Sequence, residues 1–201
     1  MTTETTAVPG TQAWAAEHPL PIGAAMPAFD LPEPATGKTR SSGEFAATDV
    51  VAVFFISSGH CPHSMAWQDR ILDVARAYEG RASSVFICST DPKRFPEDGP
   101  DVIAAAAKDK RFPGPYLQDA DQRVANDFSA YRTPHAFVFR GGKLVYNGTV
   151  DDNAEEPSAV TKTYLRDALE AAVNGRPVTV PTTELQGCGI KRKTDKAAGG
   201  R

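Results

Sequence analysis

The sequence predicts an α/β fold in which a central mixed β-sheet is flanked by helices, with an N-terminal extension and a C-terminal tail. Three observations carry this prediction. Residues 50–56 form a continuous apolar, β-branched and aromatic run, which is typical of a strand covered on both faces. Apolar residues at helical spacing follow between Trp67 and Tyr78. Gly141 and Gly142 then separate two apolar runs, which predicts an antiparallel hairpin.

The other elements follow from the same periodicities and from their Gly and Pro boundaries. We predict strands at 27–32 on the sheet edge, 50–56, 85–88, 116–117, 136–139 and 144–146. We predict helices at 62–80, 101–110, 122–128 and 157–174, and a surface loop at 91–100. The chain divides into an N-terminal arm (1–22) docked through Trp14 and Leu20, one domain (23–180), and a mobile, solvated tail (181–201) that carries Cys188.

Composition excludes several classes of protein. The 201 residues carry a net charge of −3, which provides no basic field for nucleic acid. The first ten residues have no basic and apolar signal pattern, and no run reaches the ~18 apolar residues of a membrane span. We therefore expect a cytoplasmic protein without a membrane partner. Three scattered cysteines in a reducing compartment favour a chemical role over a disulfide framework.

Cys61 stands where a buried strand ends and a helix begins, and Pro62 suits the first helical position. The unpaired N–H groups and the helix dipole there stabilise a thiolate over a thiol. His60 and His63 flank the cysteine and add charge or take its proton. The alternative is a small apolar filler, which is the usual role of a free cysteine. Cys88 ends an apolar run, and we predict that it is an inert core thiol.

The stretch from Cys61 to Ser64 resembles the Cys-Pro-His-Cys active site of disulfide-oxidising thioredoxin-like proteins. Over residues 20–193 the chain is similar to peroxiredoxin-like redoxins of the alkyl hydroperoxide reductase and thiol-specific antioxidant type. One branch of that group carries Cys-Asn-His-Cys-Pro-Tyr-Val, a downstream Thr-Pro and a C-terminal Gly-Cys-Ser-Ile-Lys. Residues 58–64, 133–134 and 187–191 match these in order. The resemblance implies a thioredoxin-like fold and antioxidant thiol chemistry without a cofactor.

The departures from that pattern concern the companions of Cys61. Serine occupies both neighbouring cysteine positions, at Ser58 and Ser64, which predicts a site with one local thiol. A peroxidase of this type is expected to have a proline where Phe54 stands and an arginine where Pro134 aligns. The expected peroxidase activity is therefore weak.

The resemblance also implies roles for Thr133, Pro134 and Cys188. A cis-proline before a strand lies opposite the helix-start cysteine in thioredoxin-like folds, and Thr133–Pro134 resembles it; the alternative is an ordinary trans proline in a turn. Thr133, Pro134 and His63 are the candidate substrate-binding residues. Cys188 either resolves an oxidised Cys61, or is a surface cysteine without a partner or one packed against the domain.

The leading hypothesis is a thiol-dependent oxidoreductase, acting by disulfide exchange or as a weak thiol peroxidase. Cys61 is the nucleophile, Ser58 and His60 tune it, and Cys188 or an external thiol resolves it. The expected partners are a protein or small-molecule disulfide or a peroxide, a cellular thiol reductant, and a second copy of the chain in a homodimer.

Two alternatives stay open. The first is a metal-binding module that uses His60, Cys61 and His63, with Cys188 as a further ligand. The second is a thioredoxin-like interaction domain without chemistry, which the missing companion cysteines favour.

Overall fold

The computed structural model describes residues 8–193. The parts of the predicted arm and tail at 1–7 and 194–201 lie outside the described residues. The helices are α1 Gln12–Glu17, α2 Pro62–Ala77, α3 Pro100–Asp109, α4 Arg123–Asp127 and α5 Tyr164–Val173. The strands are β1 Asp30–Glu33, β2 Lys38–Ser41, β3 Val50–Phe55, β4 Ser83–Cys88, β5 Tyr116–Gln118, β6 Arg132–Thr133, β7 His135–Arg140, β8 Lys143–Gly148 and β9 Cys188–Gly189.

Five strands form the central sheet in the order β5-β4-β3-β7-β8. β3 pairs in parallel with β4 and antiparallel with β7, so Val53 lies between Val85 and Phe137. All six residues of β3 are buried because helices and loops cover both faces of the sheet. β7 and β8 form the predicted hairpin, and Gly141 and Gly142 both adopt positive φ in its turn. The mixed α/β sheet confirms the predicted fold class.

Each face of the sheet has its own apolar core. On one face α2 and α5 pack through helical stripes that include Trp67, Ile71, Leu165 and Leu169. On the other face α4 and β1 pack through a separate set centred on Phe128, whose ring meets three phenylalanine rings of the sheet. The first core fixes the orientation of α2, and α2 begins at the candidate cysteine.

Two elements differ from the sequence predictions. The predicted edge strand at 27–32 begins later, and β1 pairs with β2 in a separate two-stranded sheet. The last helix begins at Tyr164, and only a short 3₁₀ turn forms at Pro157–Ala159. The carboxylate of Asp152 accepts backbone N–H groups from Thr161 and Lys162, which holds the chain out of the helix there.

The two ends of the described chain pack on the domain. In the arm, the Thr11 side chain caps α1, Ala15 is buried, and Leu20 packs against the second core. Trp14 is half-buried and stacks on His18. No helix among residues 8–193 combines the length and apolar character needed to cross a bilayer.

The prediction of a mobile, solvated C-terminal tail is wrong for residues 185–193. Ile190 and Arg192 are each 1% exposed. The Arg192 guanidinium donates to the Asn126 side chain and to the Ala130 carbonyl. The Gln122 side chain donates to the Lys191 carbonyl at 2.8 Å. The segment is held because amide side chains at α4 and a backbone carbonyl of the following turn bond to its polar atoms, the buried Arg192 guanidinium among them.

Candidate active site at Cys61 and Cys188

Cys61 is the N-cap of α2, as predicted from the strand, turn and proline around it. Its backbone is extended, Pro62 opens the helix, and the Ser64 N–H donates to the Cys61 Sγ at 3.3 Å. The Cys61 thiol donates to the Thr133 carbonyl oxygen at 3.1 Å. The side chain is 0% exposed. The sulfur therefore sits in a polar, hydrogen-bonded setting, unlike a thiol that fills an apolar gap.

The loop before Cys61 is organised by Asp98, a residue that the sequence analysis missed. Asp98 is fully buried, and one of its carboxylate oxygens accepts the backbone N–H groups of Ser58 (2.7 Å) and Gly59 (2.9 Å). The other oxygen accepts from the Ser57 hydroxyl at 2.9 Å and from the His60 Nδ1. Asp98 lies in the stretch predicted as a surface loop, and its setting between prolines and a glycine is typical of an exposed turn.

The loop and the Asp98 segment approach closely at Gly59. A Cβ on Gly59 would lie 2.4 Å from the Glu97 carbonyl oxygen. A side chain is therefore excluded at this position, and the two stretches touch through their backbones.

His60 is paired with Asp98, and the pair is almost completely buried. Burial raises the pKa of Asp98, but the hydrogen bond and charge of His60 and the hydrogen bond of Ser57 outweigh it, so the pKa is lowered. Asp98 is therefore a charged group at neutral pH. The His60 Nδ1 is turned toward Asp98, so this contact holds the loop that precedes Cys61.

Ser57 and Ser58 have different partners beside Cys61. The Ser57 hydroxyl oxygen accepts the Cys61 N–H at 3.2 Å. The Ser57 N–H in turn donates to the Ser64 hydroxyl at 2.9 Å, which links the loop to the first turn of α2. The Ser58 hydroxyl instead donates to the Tyr116 hydroxyl at 2.9 Å. The prediction that Ser58 tunes the thiolate stays a prediction; its hydroxyl is turned toward Tyr116, and Ser57 is the serine that contacts the Cys61 backbone.

Thr133 and Pro134 lie opposite Cys61, and the peptide bond between them is cis, as the resemblance implied. The backbone beside the proline does not stand open. Thr133 pairs with Cys188, and Arg132 pairs with Gly189, as β6 and β9. The chain's own C-terminal segment thus occupies the edge on which an extended substrate was expected to pair.

This pairing brings Cys188 to Cys61. The Cys61 Sγ, the Cys188 Sγ and a ring nitrogen of His63 all lie within 4.8 Å of one another. The His63 Nδ1 is 3.8 Å from the Cys188 Sγ. Burial, together with the hydrogen bond and charge of Cys61, raises the pKa of Cys188 to about 11. The predicted site with one thiol is therefore a site with two thiols, and the second comes from the far end of the chain.

Cys88 has the surroundings predicted for a core thiol. It is 0% exposed in β4, and burial together with the charge of Asp98 raises its pKa to about 12. All three cysteines lie among the described residues and are free.

The structure keeps both differences from a peroxidase site that the sequence indicated, the missing proline at Phe54 and the missing arginine at Pro134. Phe54 is buried in β3. The Arg132 guanidinium donates to the Gly187 carbonyl at 2.6 Å, so it holds the Cys188 segment. Arg140 lies on the hairpin and donates to the Arg176 carbonyl. Neither arginine replaces the one expected at Pro134.

The central mixed sheet with a cysteine at the start of α2 and a cis-proline opposite it defines a thioredoxin-like protein of the peroxiredoxin-like kind. Residues 22–150 match the model of the AhpC/TSA family. This match covers more than half of the chain, and the chain belongs to the AhpC/TSA family. Membership confirms the prediction of an enzyme of the thiol oxidoreductase class.

Solved structures show the same fold. A hypothetical protein from Sinorhizobium meliloti is 32% identical with a TM-score of 0.81, over 87% of this chain and 96% of that chain. An uncharacterized conserved protein from Geobacillus kaustophilus is 31% identical with a TM-score of 0.81, over 88% and 94%. Peroxidoxin BcpB from Mycobacterium tuberculosis is 23% identical with a TM-score of 0.51, over 76% and 94%, and shares the fold. No curated protein matches the sequence.

Proposed function

We propose that the protein is a two-thiol oxidoreductase in which Cys61 is the nucleophile and Cys188 is the resolving thiol. The observation that carries the proposal is the approach of the two sulfurs to within 4.8 Å. Cys61 has the Ser64 N–H and the start of α2 to stabilise a thiolate. The raised pKa of Cys188, about 11, keeps it protonated at neutral pH, which leaves the first attack to Cys61.

With a peroxide, the Cys61 thiolate attacks one oxygen of the O–O bond. The products are the Cys61 sulfenic acid and an alkoxide or hydroxide, which takes up a proton. The Cys188 sulfur then attacks the sulfenic sulfur, a disulfide forms, and water leaves with the Cys188 proton. With a disulfide substrate, Cys61 first forms a mixed disulfide and releases one thiolate, and Cys188 releases the second thiol. In both cases an external thiol reductant returns the pair to two thiols.

Access to Cys61 requires the Cys188 segment to move. Cys61 is 0% exposed, and β9 covers the adjoining edge of β6. β9 and β6 contribute two residues each, so their separation breaks few backbone hydrogen bonds. The buried Ile190 and Arg192 can keep the rest of the segment attached while Cys188 moves. A small peroxide or disulfide needs only a slight opening. An extended protein substrate needs full displacement of β9, because both use the same edge at Thr133.

Intact-mass measurement after one equivalent of hydrogen peroxide tests the proposal. The fully reduced wild type is expected to lose two hydrogens. Cys188→Ser is expected to gain oxygen on Cys61, and Cys61→Ser is expected to stay unchanged. Cys88→Ser is the matched control, because this buried thiol lies in the core and should leave the loss of two hydrogens intact.

Two outcomes would contradict the proposal. An oxygen adduct on wild-type Cys61 without loss of two hydrogens would remove Cys188 as the resolving thiol. Identical behaviour of wild type and Cys61→Ser, with peroxide and with a small aromatic disulfide, would remove Cys61 as the nucleophile and favour an interaction domain without chemistry.

A further inference from the structure

We propose that the reduced protein binds one thiophilic cation, Zn²⁺ or Cu⁺, through the Cys61 Sγ, the Cys188 Sγ and the imidazole of His63. The three donor atoms lie within 4.8 Å of one another. This inference is independent of the redox cycle, since it concerns the two thiols before any oxidation.

The distances are close to those of a metal site. Two zinc–sulfur bonds of about 2.3 Å at the tetrahedral angle place the sulfurs about 3.8 Å apart, and a zinc–nitrogen bond of about 2.0 Å gives a slightly shorter sulfur–nitrogen distance. The His63 Nδ1 and the Cys188 Sγ are already 3.8 Å apart. Closing the longest separation, 4.8 Å, to these distances takes side-chain movement of roughly 1 Å.

The donor chemistry favours a borderline or soft cation. Two thiolates and one imidazole form a set that suits Zn²⁺ and Cu⁺ and is poorly suited to Mg²⁺ or Ca²⁺. Three protein donors leave one position of a tetrahedral Zn²⁺ for water, or complete a trigonal Cu⁺ site. His60 is not part of this set, since the three donors that lie together belong to Cys61, His63 and Cys188. The sequence-based ligand set of His60, Cys61 and His63 is thereby replaced by one in which Cys188 takes the place of His60.

The surroundings accommodate the bound form. Both thiols lose a proton on binding, and the two negative charges offset the two positive charges of Zn²⁺. The Ser64 N–H already points at the Cys61 sulfur and continues to stabilise it as a thiolate. The Cys61 hydrogen bond to the Thr133 carbonyl is lost with the proton. A bound cation also joins β9 to α2, because Cys188 lies on β9 while Cys61 and His63 lie at the start of α2.

Metal titration of the full chain, reduced, oxygen-free and without a His-tag, tests the site. Zn²⁺ is titrated in competition with a chromophoric zinc chelator, and Cu⁺ in competition with a chromophoric copper(I) chelator. Wild type and Cys88→Ser are expected to bind one equivalent of at least one ion. Cys61→Ser, Cys188→Ser and His63→Gln are each expected to bind roughly 10-fold more weakly or worse. The ion that competes successfully identifies the metal.

Failure to bind one equivalent of either ion would overturn the proposal, as would equal affinity of wild type and the His63→Gln and Cys188→Ser variants. Far-ultraviolet circular dichroism of each variant checks that it is folded. A second measurement separates this proposal from the redox proposal. The metal-loaded wild type is expected to resist the loss of two hydrogens to peroxide until a chelator is added. If the metal-free protein forms the disulfide with peroxide but binds neither ion in the titration, the metal site is refuted and the redox proposal stands.

Discussion

The buried carboxylate of Asp98 offers the sharpest test of how the loop before Cys61 is held. Asp98→Asn keeps the shape of the side chain, and its amide oxygen can still accept the N–H groups of Ser58 and Gly59. The substitution removes the negative charge and places an NH₂ group where the other oxygen accepts from Ser57 and His60. The Ser57 hydroxyl and the His60 Nδ1 then face the new NH₂ group, so donors meet a donor in a buried site.

The expected cost follows from burial. The side chains of Asp98 and His60 are 0% and 6% exposed, so solvent does not replace the lost partner. Leaving a buried donor without its acceptor costs about 1–3 kcal/mol in free energy of unfolding, and more where the lost acceptor is charged, as the Asp98 carboxylate is. The expected loss is therefore about 3 kcal/mol.

Urea unfolding at pH 7, followed by tryptophan fluorescence, measures this loss. The matched control is Asp127→Asn, because Asp127 pairs with Arg123 on an exposed face of α4 and is 44% exposed. Its expected cost is below about 1 kcal/mol. The rate of disulfide formation with peroxide is measured in parallel, and it is expected to fall in Asp98→Asn only.

A loss in Asp98→Asn no greater than that in Asp127→Asn would refute the argument that the Asp98 carboxylate holds the loop. A large loss of stability with an unchanged rate of disulfide formation would instead show that the loop does not control the position of Cys61.

Two further predictions concern the surroundings of the site. Gly187→Ala places a Cβ 2.3 Å from the Thr133 carbonyl oxygen, so β9 should shift and disulfide formation measured by intact mass should slow. Gly80 also has positive φ, but a Cβ added there would have no atom within 4 Å, so Gly80→Ala should leave that rate unchanged. Equal rates in the two variants would contradict the role of β9. Burial lowers the pKa of His135 from 6.5 to about 4, so the unfolded chain takes up the proton first and stability is lost as pH falls from 6.5 to 4. Urea unfolding should show that His135 lowers the free energy of unfolding by about 2 kcal/mol when the pH falls to 5. This loss should be absent in His135→Gln and retained in His18→Gln, the control at an exposed site. An equal pH dependence in all three proteins would contradict the prediction.

Local sequence signals were sufficient for the elements that build the site. The apolar run of β3 predicts a strand buried on both faces, and the stripe through Trp67 and Ile71 predicts the helix that follows. Cys61 and Pro62 lie at the junction, so the N-cap position of the thiol is contained in a dozen neighbouring residues. These features depend on the period of the backbone and on short-range sterics, which a sequence displays directly.

The companions of Cys61 were decided only by the tertiary structure. Asp98 reaches His60 across 38 positions, and Cys188 reaches His63 across 125. Nothing local distinguishes Asp98 from a turn aspartate or Cys188 from a tail cysteine. Both acquire their roles from buried polar groups that find partners only after the sheet and its helices have packed. The sequence by itself determined where the candidate thiol lies, whereas the packing of the chain determined that a carboxylate holds its loop and a second thiol lies beside it.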